Sequence, residues 1–177
     1  MTVDIAKEAR LAQQGDREAF VRLIRQFERS FYRVAKAIVK KDEDCADVIQ
    51  ETILRAYQSI EKVKEPQYIK TWMIRILIHE CQRMLRNRKK VFPLVSRQAS
   101  TLSQEPNWEA LTLREAVDKL EEPYRLVVML HYFEELTVKE IAEVMEIPEG
   151  TVKSRLYRAR QDLQAALYPQ EGAINGE

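Results

Sequence analysis

Lys153, Ser154, Tyr157, Arg158 and Gln161 recur at the spacing of one helical face, with Thr151 and Arg155 in the same turns. Together they form a set of hydrogen-bond donors suited to DNA. Lys153 and Arg158 can donate to guanine edges or phosphates, Ser154 is short enough to let a helix approach a groove, and Tyr157 adds a flat ring and a hydroxyl. From Thr151 to Arg160 the cations are Lys153, Arg155, Arg158 and Arg160, with no acid among them. A basic helix face alone is often only a solvated face. Here the cations follow a capped helix, a proline turn and a Gly150-Thr151 start, which favours DNA binding.

Catalysis finds no comparable set. His79 and His131 are the only histidines, and no Ser, Cys and acid assemble around either. A lone helical histidine is ordinarily a surface or core residue. No glycine-rich phosphate loop and no metal-ligand spacing occur. No catalytic residue, cofactor, metal or small-molecule substrate is expected.

The elements that hold the donor face follow from periodicity. Thr137 with Glu140 three residues on has the spacing of a capping box, so a helix is predicted from Thr137 to about Met145. Val138, Ile141, Ala142 and Met145 share its inner face. Pro148 disfavours a helical Ile147 and suits the first turn of a second helix. That helix turns Val152, Leu156, Ala159 and Leu163 inward. Two short helices across a tight turn make a helix-turn-helix.

Two further stretches carry charge. Between Tyr68 and Lys90 the cations Lys70, Arg75, Arg83, Arg86, Arg88, Lys89 and Lys90 face one acid, Glu80. With Tyr68 and Trp72 they suit an unpaired nucleic-acid strand, the aromatics stacking on bases and the cations following the backbone. An equal alternative is that Trp72 is core and the basic tail complements the helix dipole. Between residues 42 and 51 lie Asp42, Glu43, Asp44, Asp47 and Glu51. Taken alone, this reads as a solvated face with acids where the dipole favours them.

The remaining chain is read as all-α. Of 177 residues only four are glycine, 45% are apolar and 32% charged, and the net charge is +1. Nucleic acid is therefore advertised by charge segregation, not by a global excess. Helices are predicted over Val3–Gln14, from Arg17 for about six turns, to about Ile60 with Ala46, Ile49, Ile53, Ala56/Tyr57 and Ile60 inward, and from Gln67 to Arg88. Val91 to Asn107 lacks any period and reads as an extended linker. Trp108 to Leu120 and a segment opened by Pro123 lead into the helix-turn-helix. Cys45 and Cys81 read as reduced thiols of a cytoplasmic protein. No signal peptide is read, and no apolar run reaches the roughly 18 residues of a membrane span.

These pieces, in order, resemble the sigma-70 family of bacterial RNA polymerase sigma factors, in its small extracytoplasmic-function (ECF) group. GDREAF from Gly15, ADVIQETILRAY from Ala46, TWMIRI from Thr71 and EPYRLVVMLHYFEELTVKEIAEVMEIPEGTVKSRLYRAR from Glu122 carry the resemblance. It implies a sigma2-like domain over residues 1–90, a linker over 91–107, a sigma4-like helix-turn-helix domain over 108–168 and a tail over 169–177. It implies that Asp47, Gln50 and Glu51 dock on the β′ clamp coiled coil of core polymerase. Tyr68, Trp72, Arg75, His79, Arg83 and Arg86 would hold the −10 element as a single strand, with the 61–67 loop accepting a flipped base. Thr151, Lys153, Ser154, Arg155, Tyr157 and Arg158 would read the −35 duplex. Further implied partners are the β flap and an anti-sigma factor, which in relatives is commonly membrane-anchored. One position departs: His79, followed by Glu80-Cys81, stands where many relatives carry Asn and small polar residues.

Two rivals remain at this stage. A stand-alone dimeric helix-turn-helix regulator would leave the acidic patch and the Trp72 helix without a role. A protein-binding module would make the helix-turn-helix purely structural.

Overall fold

A computed structural model describes residues 4–91 and 112–168. The expected linker beyond Val91, the start at Trp108 and the tail from 169 lie outside these residues. Helix α1 spans Ile5–Gln13, and its N-cap is Asp4, whose carboxylate accepts from the Lys7 amide at 3.0 Å. Gly15 adopts a φ of +96°, a left-handed conformation open to glycine at little cost. Asp16 then caps α2, Arg17–Val39, by accepting from the Ala19 amide at 3.0 Å. Of the apolar stripe predicted at steps of three and four, Phe20, Leu23, Phe27, Phe31, Val34, Ala35 and Ile38 are buried, and Ile24 is half-buried against the same core.

Helix α3, Asp42–Ser59, departs from the predicted phase. Ala56 and Ile60 are buried as predicted, but they share the interior with Cys45, Val48 and Thr52, whereas Ala46 and Tyr57 are exposed and Ile49 and Ile53 are half-buried. Apolar residues occupy two adjacent stripes of this helix, and periodicity alone favours the bulkier one. The smaller stripe wins because α3 packs on both α2 and α4, where small side chains permit close approach. Thr52 tolerates complete burial because its hydroxyl donates to the Val48 carbonyl at 2.6 Å.

A single 3₁₀ turn at Pro66–Tyr68 precedes α4, Ile69–Val91. The helix therefore begins two residues later than expected and extends into the first residue of the expected linker. Ile69, Met73, Ile74, Leu77, Ile78 and Cys81 are essentially inaccessible. At the far end Arg88 makes a two-pronged pair with buried Asp44, one prong at 2.6 Å. The guanidinium holds Asp44 below the usual aspartate range.

The second unit comprises α5 (Leu113–Lys119), α6 (Glu122–Val128), a π-helical turn (Met129–Phe133), α7 (Val138–Met145) and α8 (Glu149–Leu167). Thr112 with Glu115 forms a capping box that starts α5, and Pro123 lies in the first turn of α6 as predicted. Among the described residues no strand occurs, and no helix is long and apolar enough to cross a membrane.

The two units share one apolar core. Leu126, Val127, Leu130, Leu136, Ile141 and Ala142 join the cluster built by α2 and α4. Charges are buried at the same seam. Glu134, at the end of the π-helical turn, has a fully inaccessible side chain. It accepts from Arg33 Nε at 2.9 Å and pairs with Lys70 Nζ at 3.0 Å, and the Ser30 hydroxyl donates to it as well. Burial alone would raise this carboxyl; the Ser30, Lys70 and Arg33 donors outweigh it and hold Glu134 below the usual range. Arg125 is buried too. It donates to the carbonyls of Ala37 at 2.8 Å and Leu120 at 2.5 Å, and burial lowers its pKa. Among the described residues no buried side-chain nitrogen or oxygen lacks a partner.

Two predictions follow from this interior. Cys45 and Cys81 are both fully buried, and burial pushes the Cys81 thiol up to about 12. Neither thiol should react with Ellman's reagent at pH 8 in the native protein, and both should react in guanidinium; rapid native labelling would contradict the packing. The second concerns acid. A carboxyl depressed on folding contributes stability that is fully present above its unfolded pKa, about 4.3 for Glu, and is lost as pH falls through the folded value. The melting temperature should therefore fall as pH drops from about 5, and Glu134→Gln should flatten that limb in a calorimetric pH series.

Candidate nucleic-acid interface

The helix-turn-helix is built locally. Thr137 and Glu140 form the predicted capping box, with the Glu140 amide donating to the Thr137 hydroxyl at 3.2 Å and Glu140 Oε2 accepting from the Thr137 amide at 2.8 Å. Helix α7 ends at Glu146, which takes the left-handed conformation at φ 55°. Pro148 is the N-cap of α8, one position earlier than the predicted first turn. Val152, Leu156 and Ala159 are buried, and Leu163 is half-buried. The opposite face presents Lys153, Ser154, Tyr157 and Arg158 to solvent, with Tyr157 62% exposed. Thr151 and Arg155 flank it, half-buried.

Few internal bonds engage this face. The Ser154 hydroxyl donates to the Thr151 carbonyl at 3.0 Å, and Gln161 donates to the Tyr157 hydroxyl at 3.0 Å. Arg158 leans on Asp162 at 3.2 Å, an exposed i,i+4 pair of the kind worth a few tenths of a kcal/mol. A DNA phosphate can displace such a pair at little cost. Arg160 is held by Tyr132, donating to its hydroxyl at 2.8 Å.

Tyr68 of the 3₁₀ turn, with Trp72 and Arg75 of α4, lines one wall of a groove of about 710 Å³, with Thr137, Lys139, Glu140 and Glu143 opposite. Trp72 satisfies both sequence readings: it packs against the core and also borders the groove. Arg75 and His79 both reach Glu146, at 2.5 and 3.5 Å. Arg75, and then His79, hold that carboxyl below its usual range. Arg83 turns the other way, pairing with Glu80 at 2.7 Å and Glu51 at 3.3 Å. Arg86 is exposed and makes no ion pair among the described residues. The six candidates from Tyr68 to Arg86 thus separate into a group facing α7, one arginine turned to α3 and one in solvent.

The acidic stretch is less acidic in space than in sequence. Asp44 is committed to Arg88, Asp42 to Lys36 and Tyr32, and Glu51 to Arg55 at 3.0 Å and Arg83. Asp47 and Gln50 are exposed. Glu43 and Asp47 make no ion pair among the described residues. Asp47, Glu51, Glu80 and Arg83 border a second groove between α3 and α4.

Reading the sequence missed Glu80, Arg125 and Glu134 as organisers. Their signal was weak: single charges beside long apolar runs, with partners for Arg125 and Glu134 on a helix about a hundred residues away. Among the described residues no cluster of three or more His, Cys, Asp or Glu side chains suits a metal.

The chain and its fold have counterparts. The family description of sigma-70 region 2 matches residues 23–91, and that of sigma-70 region 4 matches residues 110–163. RNA polymerase sigma factor SigV of Bacillus subtilis is 34% identical over 161 residues, covering 90% of this chain and 97% of SigV. The ECF sigma factor SigW of the same organism is 27% identical, covering 94% of this chain and 98% of SigW. Among solved structures, the sigma factor RpoE in complex with the anti-sigma factor NepR from Bartonella quintana superposes with a TM-score of 0.69 at 20% identity. It covers 85% of this chain and 98% of RpoE.

Proposed function

Because the chain belongs to the ECF group of the sigma-70 family, we propose a division of labour among its surfaces for promoter-specific initiation by RNA polymerase. The protein is a sigma factor: it binds core RNA polymerase and directs it to promoters, and it is an initiation factor, not an enzyme by itself. The exposed face of α8 enters the −35 major groove, with Lys153, Ser154, Tyr157 and Arg158 at base edges and Thr151 and Arg155 toward the backbone. The observation that carries this reading is a donor face left almost uncommitted on a capped, proline-stopped helix pair.

Tyr68, Trp72, Arg75 and His79 hold the −10 element as a single strand, Arg83 and Arg86 extend the track, and the 61–67 loop takes a flipped base. The support is a half-buried tryptophan beside exposed cations, a geometry in which stacking and charge offset the cost of unstacking. Asp47, Gln50 and Glu51 dock on the β′ clamp coiled coil, supported by Asp47 and Gln50 standing free on α3. The second unit meets the β flap. Residues 1–90 and 108–168 serve as the two binding domains and 91–107 as their tether, which raises the effective concentration of each for its element. The site of action is the cytoplasm. By analogy with RpoE, whose structure contains NepR, the partners include an anti-sigma factor; membrane anchorage of that factor is implied by the family resemblance alone.

The decisive experiment is run-off transcription from a promoter library with core polymerase, with and without this protein. Specific initiation is expected only in its presence; none at all would sink the reading. Within that assay Arg158→Ala should cut initiation about 5- to 150-fold, the worth of 1–3 kcal/mol for a base contact, and relax preference at one −35 position. Reversing charge at Asp47 and Glu51 together should weaken capture of core polymerase in a pull-down and leave duplex −35 binding unchanged. Unaltered capture would remove α3 from the polymerase interface.

A further inference from the structure

We infer that Gln13, the last residue of α1, is a positioning residue for promoter opening: its side-chain amide clamps the backbone at Ile60 and Val63 and so holds the 61–67 loop ready for a flipped base. The inference rests on the assignment of that loop to the −10 strand.

The loop has little order of its own. One 3₁₀ turn at Ile60–Lys62 and another at Pro66–Tyr68 bracket an extended Val63, at φ −70° and ψ 113°. The turns satisfy two amides: Val63 donates to the Ile60 carbonyl at 3.1 Å, and Tyr68 to the Glu65 carbonyl at 3.0 Å. The Val63 carbonyl belongs to neither turn. Among the described residues its protein donor is Gln13, whose Nε2 donates to it at 2.6 Å and to the Ile60 carbonyl at 3.3 Å. Two carbonyls fix which way the amide stands, because its own oxygen would be repelled there.

The clamp is presented from a rigid element. Helix α1 starts at its Asp4 cap, buries Ala9 and Ala12 where it packs on α2, and ties Glu8 to Arg22 at 2.8 Å. It also packs on both 3₁₀ turns, so each end of the loop rests on it. Helix α1 precedes the region 2 match, which starts at residue 23, and none of the surfaces assigned to DNA or polymerase includes it.

The clamp decides where the base-facing groups stand. Ile60 and Val63 are buried with their carbonyls engaged, while Lys62, Lys64, Glu65 and Gln67 are exposed, and Gln67 donates to Glu65 at 2.7 Å. Those side chains offer both donors and acceptors to a base edge. A base that leaves the stack loses its stacking energy, and a loop that orders itself only on binding adds a second cost. Gln13 removes the second cost by ordering the loop beforehand. It acts through the loop backbone and touches no base.

The test uses the full chain, alone and bound to core polymerase. Gln13→Glu keeps the side-chain size and sets an acceptor against two carbonyls. Gln13→Lys restores a donor. Gln14→Glu makes the same charge change at an exposed neighbour. A thermal melt confirms each fold. Amide hydrogen exchange of the free protein reads the clamp itself: Val63 and Tyr68 should exchange about tenfold faster in Gln13→Glu, and at the parent rate in the other two. Function is read on the polymerase-bound protein, with a fork-junction template from a library-selected promoter carrying an abasic site at each −10 position in turn. In the parent, loss of the captured base should weaken binding about 5- to 150-fold at one position, the range for one stacked base. Gln13→Glu should lose most of that penalty, because the intact strand binds more weakly and the abasic strand as before; Gln13→Lys should keep it. A general loss of stability would instead weaken both strands alike. Unchanged exchange in Gln13→Glu, an unchanged abasic penalty, equal weakening of both strands, or a loss in Gln13→Lys matching that in Gln13→Glu would each overturn the clamp. The flipped-base assignment fails separately, if the parent shows no penalised position whatever the exchange rates.

Discussion

A helix apolar around most of its circumference has to be surrounded, and α4 imposes that constraint on the whole chain. Ile69, Met73, Ile74, Leu77, Ile78 and Cys81 leave it almost no solvent side through its first three turns. Helices α2 and α3 cover two sides and α7 covers part of a third. The one strip that escapes is Trp72, Arg75 and His79. The proposed strand-binding surface is thus the remainder left by packing. Its rigidity comes from the helix behind it, which places a stacking ring, a guanidinium and an imidazole without relying on a loop.

Charge is distributed on a consistent rule. Cations on α4 are mostly committed: Lys70 to Glu134, Arg75 to Glu146, Arg83 to Glu80 and Glu51, and Arg88 to Asp44. Cations on the donor face of α8 are nearly free. A near-neutral protein can in this way avoid strong nonspecific attraction to DNA, since nonspecific affinity follows the number of phosphates neutralised. Glu134 and Glu146, the acids that engage Lys70 and Arg75, both lie where the second unit packs on α4.

Two scales of energy meet at the seam. Its apolar part is ordinary core, non-directional and proportional to area. Its polar part is directional and conditional, because breaking a buried pair is costly while water is excluded and mild once both partners are hydrated.

The sequence by itself determined whatever depends on neighbours within a few residues. The Thr137–Glu140 box, the Pro148 stop, the α2 stripe and the outward set Lys153, Ser154, Tyr157 and Arg158 were all legible, because helical period and capping are local rules. What remained undecided was set by partners far along the chain. Periodicity favoured the α3 stripe through Ala46, Ile49 and Ile53, and only its position against α2 and α4 turned Cys45, Val48 and Thr52 inward beside the predicted Ala56. The five acids from Asp42 to Glu51 read as one patch until Arg88, Lys36, Arg55 and Arg83 arrived from other turns and helices to neutralise three of them. Glu134 was an unremarked acid beside an aromatic, and it became a buried anion only when α2 and α4 brought Ser30, Arg33 and Lys70 around it. Side-chain chemistry is written residue by residue, but burial and charge pairing are properties of assembled surfaces, and only the tertiary structure assembles them.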